Sequence, residues 1–157
     1  MQGDMATRVR RAAFFDLRNT SGPQADIARG AMERHRAAGD ILVLVLPFPG
    51  GPAATTLFGH EADLVLHVEQ SRPLTTGAAG VPDTVDAAAK SEVIVEAMTR
   101  LRLDAVICFG YTDHCGGRGL LCVVGNPRVV GYDAELLELA RLKGWPMLDE
   151  PALDGIA

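Results

Sequence analysis

The sequence has few aromatic residues, no excess of positive charge and only three cysteines. Aromatic residues make up 5% of the chain, which predicts a core built from Val, Leu, Ile and Ala. The formal net charge of −5 argues against the basic face that nucleic-acid binding needs, so we expect no nucleic-acid partner. An odd number of cysteines gives no complete disulfide framework. We therefore expect Cys108, Cys115 and Cys122 to be reduced, with Cys108 and Cys122 buried in apolar runs.

Long hydrophobic runs are missing as well. No stretch approaches the roughly 20 apolar residues that a membrane-spanning helix needs, so we expect no membrane partner. The N-terminal residues contain no apolar segment of the secretory type, which predicts a cytoplasmic protein. With 157 residues and 48% hydrophobic content, the chain is long enough for one domain with a proper core. We expect that domain to span 1–157, with 1–10 as a flexible leader.

Apolar runs that are typical of buried strands alternate with segments of helical periodicity. The runs are too continuous for half-exposed strands, which favours a mainly parallel sheet that is covered on both faces. The clearest helix, at 84–101, has Val95 and Met98 on its expected apolar face. The predicted fold is a three-layer α/β/α Rossmann-like sandwich, with its site beyond the carboxyl ends of the strands. We predict strands at 12–15, 41–46, 64–68, 105–109 and 121–124 and helices at 23–37, 84–101 and 133–142. The segment at 69–85 is predicted to be a long loop or a small hairpin.

The first predicted strand ends on a carboxylate, Asp16, and a short polar turn follows. The run AAFFDLRNT at 12–20 resembles the first motif of the haloacid dehalogenase superfamily, in which an apolar strand precedes Asp-x-Asp-x-Thr. Arg18 stands in the place of the second aspartate. The resemblance implies that Asp16 is the nucleophile and a magnesium ligand. The alternative is an aspartate that caps the following turn.

The resemblance extends over most of the chain and is closest to the phosphoserine-phosphatase-like branch. The stretches at 35–46, 105–113, 124–127 and 139–148 are similar to that branch's helix-glycine-strand segment, fourth strand and closing pattern. It implies that Lys90 is the third-motif cation and that Asp113 is the fourth-motif magnesium ligand. Mg²⁺ bound by Asp16 and Asp113 is therefore a candidate cofactor. The family's helical cap is missing between Thr20 and Ile41, which predicts an open, capless site.

Three positions depart from the family pattern. Arg18 cannot exchange a proton near neutral pH, so it cannot serve as the general acid–base that the second aspartate supplies. It could instead bind an anion, pair with Asp16 or Asp113, or be a solvated arginine. Leu46 stands where the family has a Ser or Thr that hydrogen-bonds the phosphoryl group, and its side chain offers no donor. Gly117 replaces the second acid of the fourth motif.

Several neighbouring residues are weaker candidates for the site. Phe48 lies in an expected rigid apolar loop, PFPGGP, which favours an apolar ligand or a protein partner, or is only a tight connection. Thr112 and His114 flank Asp113 and are candidate substrate contacts, although the sequence alone favours a loop histidine without a catalytic role. The Asp-His-Cys run ending at Cys115 lacks a second His/Cys cluster with metal-ligand spacing.

Two functions follow from the pattern. In the first, the domain has lost phosphohydrolase turnover and works as a binding or scaffold protein, or performs altered chemistry, on a small anionic molecule or a carrier-protein partner. In the second, it is a hydrolase of the phosphatase or dehalogenase type, with Asp16 as nucleophile and Arg18 and Lys90 holding the anionic group. A homo-oligomeric interaction module is a third class. The Ala-, Gly- and Arg-rich composition favours a bacterial protein of specialised metabolism.

Overall fold

The computed structural model describes residues 10–18, 23–48, 56–57, 60–69, 81–131 and 133–148. Within these ranges, six strands form one sheet in the order β5-β2-β1-β6-β7-β8, and every pair of neighbours is parallel. A short antiparallel pair, β3 with β4, lies outside this sheet. The strands are β1 Ala12–Asp16, β2 Ile41–Phe48, β3 Thr56–Leu57, β4 His60–Glu61, β5 Leu64–Glu69, β6 Phe109–Thr112, β7 Asn126–Val130 and β8 Met147–Leu148.

Four α-helices are present in the described residues, and the two longest contribute to the buried clusters on the sheet. Their bounds are α1 Pro23–Ala37, α2 Val81–Leu101, α3 Arg118–Leu121 and α4 Ala134–Lys143. Successive residues of a strand point to opposite faces. Accordingly, Phe14 packs in one buried cluster with Ile94 of α2, whereas Phe15 packs in a second cluster with Met32 of α1. The continuous apolar strand pattern therefore reflects burial on both faces.

Capping residues explain where α1 ends and where α4 begins and ends. Gly39 follows α1 with a φ of +84°, a left-handed conformation that glycine adopts without a Cβ penalty. The Asp133 side chain accepts a hydrogen bond from the Leu136 N–H at the start of α4, as expected of an N-cap. Gly144 ends α4 with a φ of +77°. The expected helix at 23–37 is confirmed, and α4 lies one residue from its predicted bounds.

The strand prediction at 121–124 was wrong, and the one at 105–109 was misplaced. Residues Ala105–Ile107 form a 3₁₀ turn that is capped by Asp104, whose carboxylate accepts the Val106 N–H. The strand begins only at Phe109. In the second region Leu121 ends α3, and the strand follows at Asn126–Val130. A short apolar run does not distinguish a buried helix from a strand, which explains the error.

Smaller corrections concern individual residues. Cys108 is buried as expected, but Cys122 is exposed because it follows α3 instead of lying in a strand. Val95 is 45% exposed, so the buried face of α2 runs through Ile94 and Met98 instead. Strand β2 continues through Pro47 and Phe48, two residues that were expected in a loop.

Three predicted segments extend beyond the described residues. Of the leader at 1–10, Arg10 alone is described, and it forms an isolated bridge with Leu103. The loop at 69–85 was expected to be long, but α2 already begins at Val81; residues 70–80 lie outside the description, as do residues 49–52 of the apolar loop. In the described part of the chain, no helix has the length and apolar character that crossing a bilayer requires.

Candidate functional site

The candidate site lies at the carboxyl ends of β1 and β6. Asp16 is the last residue of β1 and is in register with Thr112, the last residue of β6. Asp113 and His114 follow immediately, and both are buried together with Asp16. Polar side chains at this depth need partners, because burial without hydrogen bonds is costly. The topology thus brings two carboxylates and an imidazole to one edge of the parallel sheet.

Lys90 reaches this edge from α2. Its Nζ lies 2.6 Å from Asp16 Oδ2, and it also donates to the Gly116 carbonyl oxygen at 2.9 Å. Only 12% of the Lys90 side chain and 7% of the Asp16 side chain are exposed, so little water screens the ion pair. Lys90 therefore connects the strand end, α2 and the loop after β6. The structure brings the predicted residues Asp16 and Lys90 into direct contact.

His114 contacts the other oxygen of the Asp16 carboxylate. Its Nε2 lies 3.0 Å from Asp16 Oδ1. A carboxylate can only accept, so Nε2 carries the hydrogen and donates it. Adjacent residues on a chain usually point in different directions, and this contact could not be derived from the sequence. It exists because the 3₁₀ turn Cys115–Gly117 places the His114 ring over the end of β1.

The balance of these contacts keeps Asp16 ionised. Burial by itself raises the pKa of a carboxyl group, because the charged form loses its hydration. The hydrogen bond from His114 and the positive charge of Lys90 outweigh that effect, and the pKa of Asp16 is lowered from its ordinary value of 3.8. Asp16 is thus a desolvated carboxylate whose two oxygens are both engaged.

Arg18 contacts the site through its backbone N–H, whereas its guanidinium was expected to make the contact. Its backbone N–H donates to Asp113 Oδ1 at 2.9 Å. The Arg18 residue is exposed, and among the described residues the ion pair of Asp16 is made by Lys90 and not by the Arg18 guanidinium. One guanidinium nitrogen, Nη2, borders the loop at Gly116. The fixed positive charge expected at this position therefore lies at the exposed edge of the site.

Two glycines allow the loop to approach the strand ends. A Cβ built on Gly117 would lie 1.9 Å from Thr112 Oγ1, which no real packing permits. A Cβ on Gly116 would lie 2.9 Å from His114 Nδ1 and 3.3 Å from Arg18 Nη2. In this loop conformation, position 117 cannot carry the second acid of the family motif. The lack of a side chain at Gly117 therefore permits the close approach of this loop to Thr112.

Asp16 and Asp113, the residues expected to hold a magnesium ion, already make hydrogen bonds within the protein. Mg²⁺ binds carboxylate oxygens in near-octahedral geometry, and a carboxylate oxygen that accepts one hydrogen bond keeps a second lone pair for a metal. Each Asp16 oxygen already accepts from Lys90 or His114, and Asp113 Oδ1 accepts from the Arg18 N–H. Among the described ranges, no group of three or more His, Cys, Asp or Glu side chains has a geometry that could hold a metal.

Three further predicted contacts have different placements. Thr112 is fully buried, and its hydroxyl bonds to the His114 carbonyl oxygen at 3.3 Å, so it organises the loop in this structure. Leu46 pairs with His67 and Phe48 with Glu69 near the carboxyl end of β2. The side chains of Leu46 and Phe48 lie outside the description, and their roles as substrate contacts stay predictions.

A second polar cluster lies under α1 and had no sequence signal. The fully buried His35 has its Nδ1 2.7 Å from Asp40 Oδ2 and its Nε2 2.8 Å from the Tyr111 hydroxyl. Arg11 Nε donates to Asp40 Oδ1 at 2.8 Å. In the sequence, His35 belongs to a stretch that is similar to the family's helix-glycine-strand segment. Nothing in its spacing predicted a hydrogen-bond network with Asp40 and Tyr111.

A separate cavity of about 590 Å³ lies between the loop after β6 and α4. It is lined by Cys115, Arg118, Ala134, Glu135, Glu138, Leu139 and Leu142. Arg118 Nη1 donates to the Cys115 carbonyl oxygen at 3.1 Å and lies 3.5 Å from its sulfur atom. Neither Asp16, Lys90 nor His114 lines this cavity, so it is distinct from the strand-end site.

Comparison with known proteins supports the fold and gives no activity. The chain is similar to the crystal structure of a protein with unknown function from Bordetella pertussis Tohama I. The TM-score is 0.53 at 15% sequence identity, and the similarity covers 90% of this chain and 99% of that chain. No protein-family model and no curated protein matches the chain. A structural similarity at this identity shows a shared Rossmann-like α/β fold and nothing about function.

Proposed function

We propose that this chain is a haloacid-dehalogenase-like domain that binds a small anionic molecule and has lost phosphate-ester hydrolysis. The proposal includes a three-layer sandwich and an open site without a cap. Its support is the parallel strand order and the residues at the strand ends: Asp16 ends β1, Lys90 lies on α2, and Asp113 follows β6.

The observation that carries the proposal is the double engagement of Asp16. A nucleophilic carboxylate must present a free lone pair to the phosphorus atom. In this chain Lys90 holds one oxygen at 2.6 Å and His114 holds the other at 3.0 Å. Both interactions stabilise the ground state of the anion and so weaken it as a nucleophile. Arg18 adds no acid–base group at the position where hydrolysis needs one.

Non-hydrolytic binding is consistent with the charge at the site edge. Arg18 is exposed there, and a guanidinium offers several donors in a plane that suits oxyanions. Without a cap, water is poorly excluded, which reduces the electrostatic contribution to catalysis but does not prevent binding.

The test is phosphate release from a panel of small phosphate esters, with Mg²⁺ and with a chelator, by the wild type and Asp16→Asn. We expect equal background release from both proteins under both conditions. Asp16→Asn is the matched control, because the amide keeps the shape of the carboxylate and removes its nucleophilicity. Mg²⁺-dependent release by the wild type that Asp16→Asn abolishes would contradict the proposal.

The second candidate is a hydrolase with Asp16 as nucleophile, and the Lys90–Asp16 contact favours it. In the family that the chain resembles, the third-motif lysine steadies the nucleophile and the transferred group. This function requires His114 to release one oxygen of Asp16 when substrate binds. Intact-mass measurement after rapid acid quenching of a mixture with a phosphoryl donor decides this point. A phosphoryl adduct on Asp16 supports the hydrolase, and its absence in the presence of Mg²⁺ removes it.

A further inference from the structure

A cavity of about 450 Å³ lies at the edge of the sheet opposite the candidate site. Ile41 and Leu64, the first residues of β2 and β5, line it, and so does Arg10, two residues before β1. Because β5, β2 and β1 are parallel neighbours, the cavity lies at the amino ends of three adjacent strands. Its volume is within the roughly 300–1,000 Å³ of ordinary small-molecule sites. We call it the amino-edge cavity.

The amino-edge cavity contains a carboxylate that the backbone holds in place. Asp63 lines the cavity, and its N–H donates to the Leu42 carbonyl oxygen at 2.8 Å. Its Oδ2 accepts from the Leu42 N–H, also at 2.8 Å. A carboxylate has about four acceptor positions on its two oxygens, and a neutral N–H does not balance its charge. Asp63 is therefore positioned to accept hydrogen bonds from a cationic group of a ligand.

The second carboxylate of the cavity, Asp40, is already paired within the protein. Arg11 Nε donates to its Oδ1 at 2.8 Å, and His35 Nδ1 lies 2.7 Å from its Oδ2. The Arg11 charge balances that of Asp40. Of the two carboxylates, Asp63 is thus the one suited to a ligand cation.

Guanidinium groups supply the opposite charge. Arg10 Nη1 donates to the carbonyl oxygen of Leu101, the last residue of α2, at 3.3 Å. This bond uses one of five N–H donors and fixes the side chain at the cavity. Arg36, in the last turn of α1, lines the cavity as well. The planar fork of a guanidinium matches the two oxygens of a carboxylate.

The cavity also has an apolar wall, formed by Ile41, Leu64 and Leu101. Ile41 and Leu64 pack against the buried cluster that contains Phe14 and Ile94, and all three wall residues are partly buried. Their remaining exposed surface belongs to the cavity, where a ligand side chain could remove it from water. A fitting ligand therefore combines an anion, a cation and an apolar group.

We propose that the amino-edge cavity binds a zwitterionic α-amino acid with an apolar side chain. The carboxylate of the ligand pairs with Arg10, with Arg36 also lining the cavity, and its ammonium group donates to Asp63. The apolar side chain covers the apolar wall. Reactions on parallel sheets occur beyond the carboxyl ends of the strands, so this cavity recognises a ligand without transforming it. The inference goes beyond the proposed function and does not depend on it.

Titration calorimetry of the wild type with leucine and three analogues tests the ligand class. N-Acetylleucine lacks the ammonium charge, leucine amide lacks the carboxylate, and glycine lacks the side chain. We expect leucine to bind about tenfold more tightly than each analogue, since one hydrogen bond to a charged group or one buried aliphatic side chain contributes about that factor.

Two substitutions assign the charged groups of the ligand to residues. Arg10→Ala should weaken leucine about tenfold and leave leucine amide, which has no carboxylate, unchanged. Asp63→Asn keeps an acceptor for the Leu42 N–H and removes the charge, so it should weaken leucine but not N-acetylleucine. Arg100→Ala, which removes an exposed arginine of α2 outside the cavity, is the matched control and should bind like the wild type. The unfolding midpoint identifies any variant that fails to fold.

Three results would overturn the inference: no binding of leucine to the wild type, equal affinity for leucine and its analogues, or unchanged leucine binding in Arg10→Ala and Asp63→Asn. The first two need no variant, so a folding defect does not obscure them. All three leave the proposed function standing, because that proposal concerns Asp16 at the other edge of the sheet. Asp16-dependent phosphate release would contradict the proposed function and leave this inference intact.

Discussion

Two histidine–carboxylate pairs lie in the part of the domain that the structure describes, and they differ in how completely their hydrogen bonds are satisfied. Under α1, His35 bonds to Asp40 through Nδ1 and to the Tyr111 hydroxyl through Nε2, so both ring nitrogens have partners. At the strand ends, His114 bonds to Asp16 through Nε2, and Nδ1 has no partner among the described residues. Each carboxylate also has a cation, Arg11 in the first case and Lys90 in the second.

The difference separates a structural network from a site. The His35 ring lies edge-on to Phe15 and Phe109, so aromatic packing and hydrogen bonds fix it together. The His114 ring lies instead in a glycine-rich loop beside an exposed arginine. A fully satisfied network stabilises the fold, whereas an incompletely satisfied one at the carboxyl ends of parallel strands is where a ligand is expected.

The largest expected effect comes from removing the structural histidine. His35→Ala leaves a cavity and deprives Asp40 and Tyr111 of partners, so we expect the free energy of unfolding to fall by about 4 kcal/mol. His114→Ala removes one hydrogen bond to an Asp16 carboxylate that keeps Lys90, so it should cost only about 2 kcal/mol. Urea unfolding followed by circular dichroism measures both. Equal losses for the two variants would remove the distinction between network and site.

Breaking the ion pair of the site should have the next largest effect. Lys90→Met leaves a buried Asp16 carboxylate with His114 alone, and we expect a loss of about 3 kcal/mol in unfolding free energy. Adding Asp16→Asn removes the unpaired charge and should restore part of that loss. If the double variant is as unstable as the sum of the two single variants, Lys90 and Asp16 are not coupled in solution.

The loop glycine allows a comparison with a glycine outside the site. We expect Gly117→Ala to cost about 2 kcal/mol, because its Cβ would overlap Thr112. Gly39→Ala at the end of α1 meets no atom within 4 Å, and its cost of about 1 kcal/mol comes from the left-handed backbone alone. Thermal unfolding of both variants ranks them. A smaller loss at Gly117 would show that the loop adjusts more easily than the structure implies.

The smallest expected effect is a dependence of stability on acid pH. The pKa of Asp16 is lower in the folded protein than its ordinary value of 3.8, so the folded state takes up this proton less readily than the unfolded chain. The stability from Asp16 is therefore fully present above that ordinary value and is lost as the pH falls through the lower folded pKa. Asp16→Asn should flatten this part of the pH profile, measured by urea unfolding across the acid range. An unchanged slope would contradict the assignment.

The strand ends of the site could be predicted from the sequence more completely than its loop. Asp16 ends an apolar strand, so its place at a sheet edge follows from the order of elements. The choice of Lys90 rested on the family resemblance, because a lysine on a charged helix is otherwise expected to be exposed. The His114 contact depends on a 3₁₀ turn at Cys115–Gly117 that no hydrophobic period encodes.

The same limit explains the error in the second half of the sheet. The apolar run at 121–124 has the composition of a strand, yet Leu120 and Leu121 are buried on the short helix α3, which packs near α2. Tertiary packing decides between the two structures, and local composition does not record it. The His35 network was equally hidden, because its members come from the residue before β1, from α1, from the turn after α1 and from β6.

The most direct test is whether the protein hydrolyses a phosphate ester with the carboxylate of Asp16. Release of inorganic phosphate is measured with Mg²⁺ for the wild type, Asp16→Asn and Arg18→Asp, the last of which places a carboxyl group at position 18. We predict that the wild type releases no more phosphate than Asp16→Asn. Release by the wild type that disappears in Asp16→Asn would contradict it.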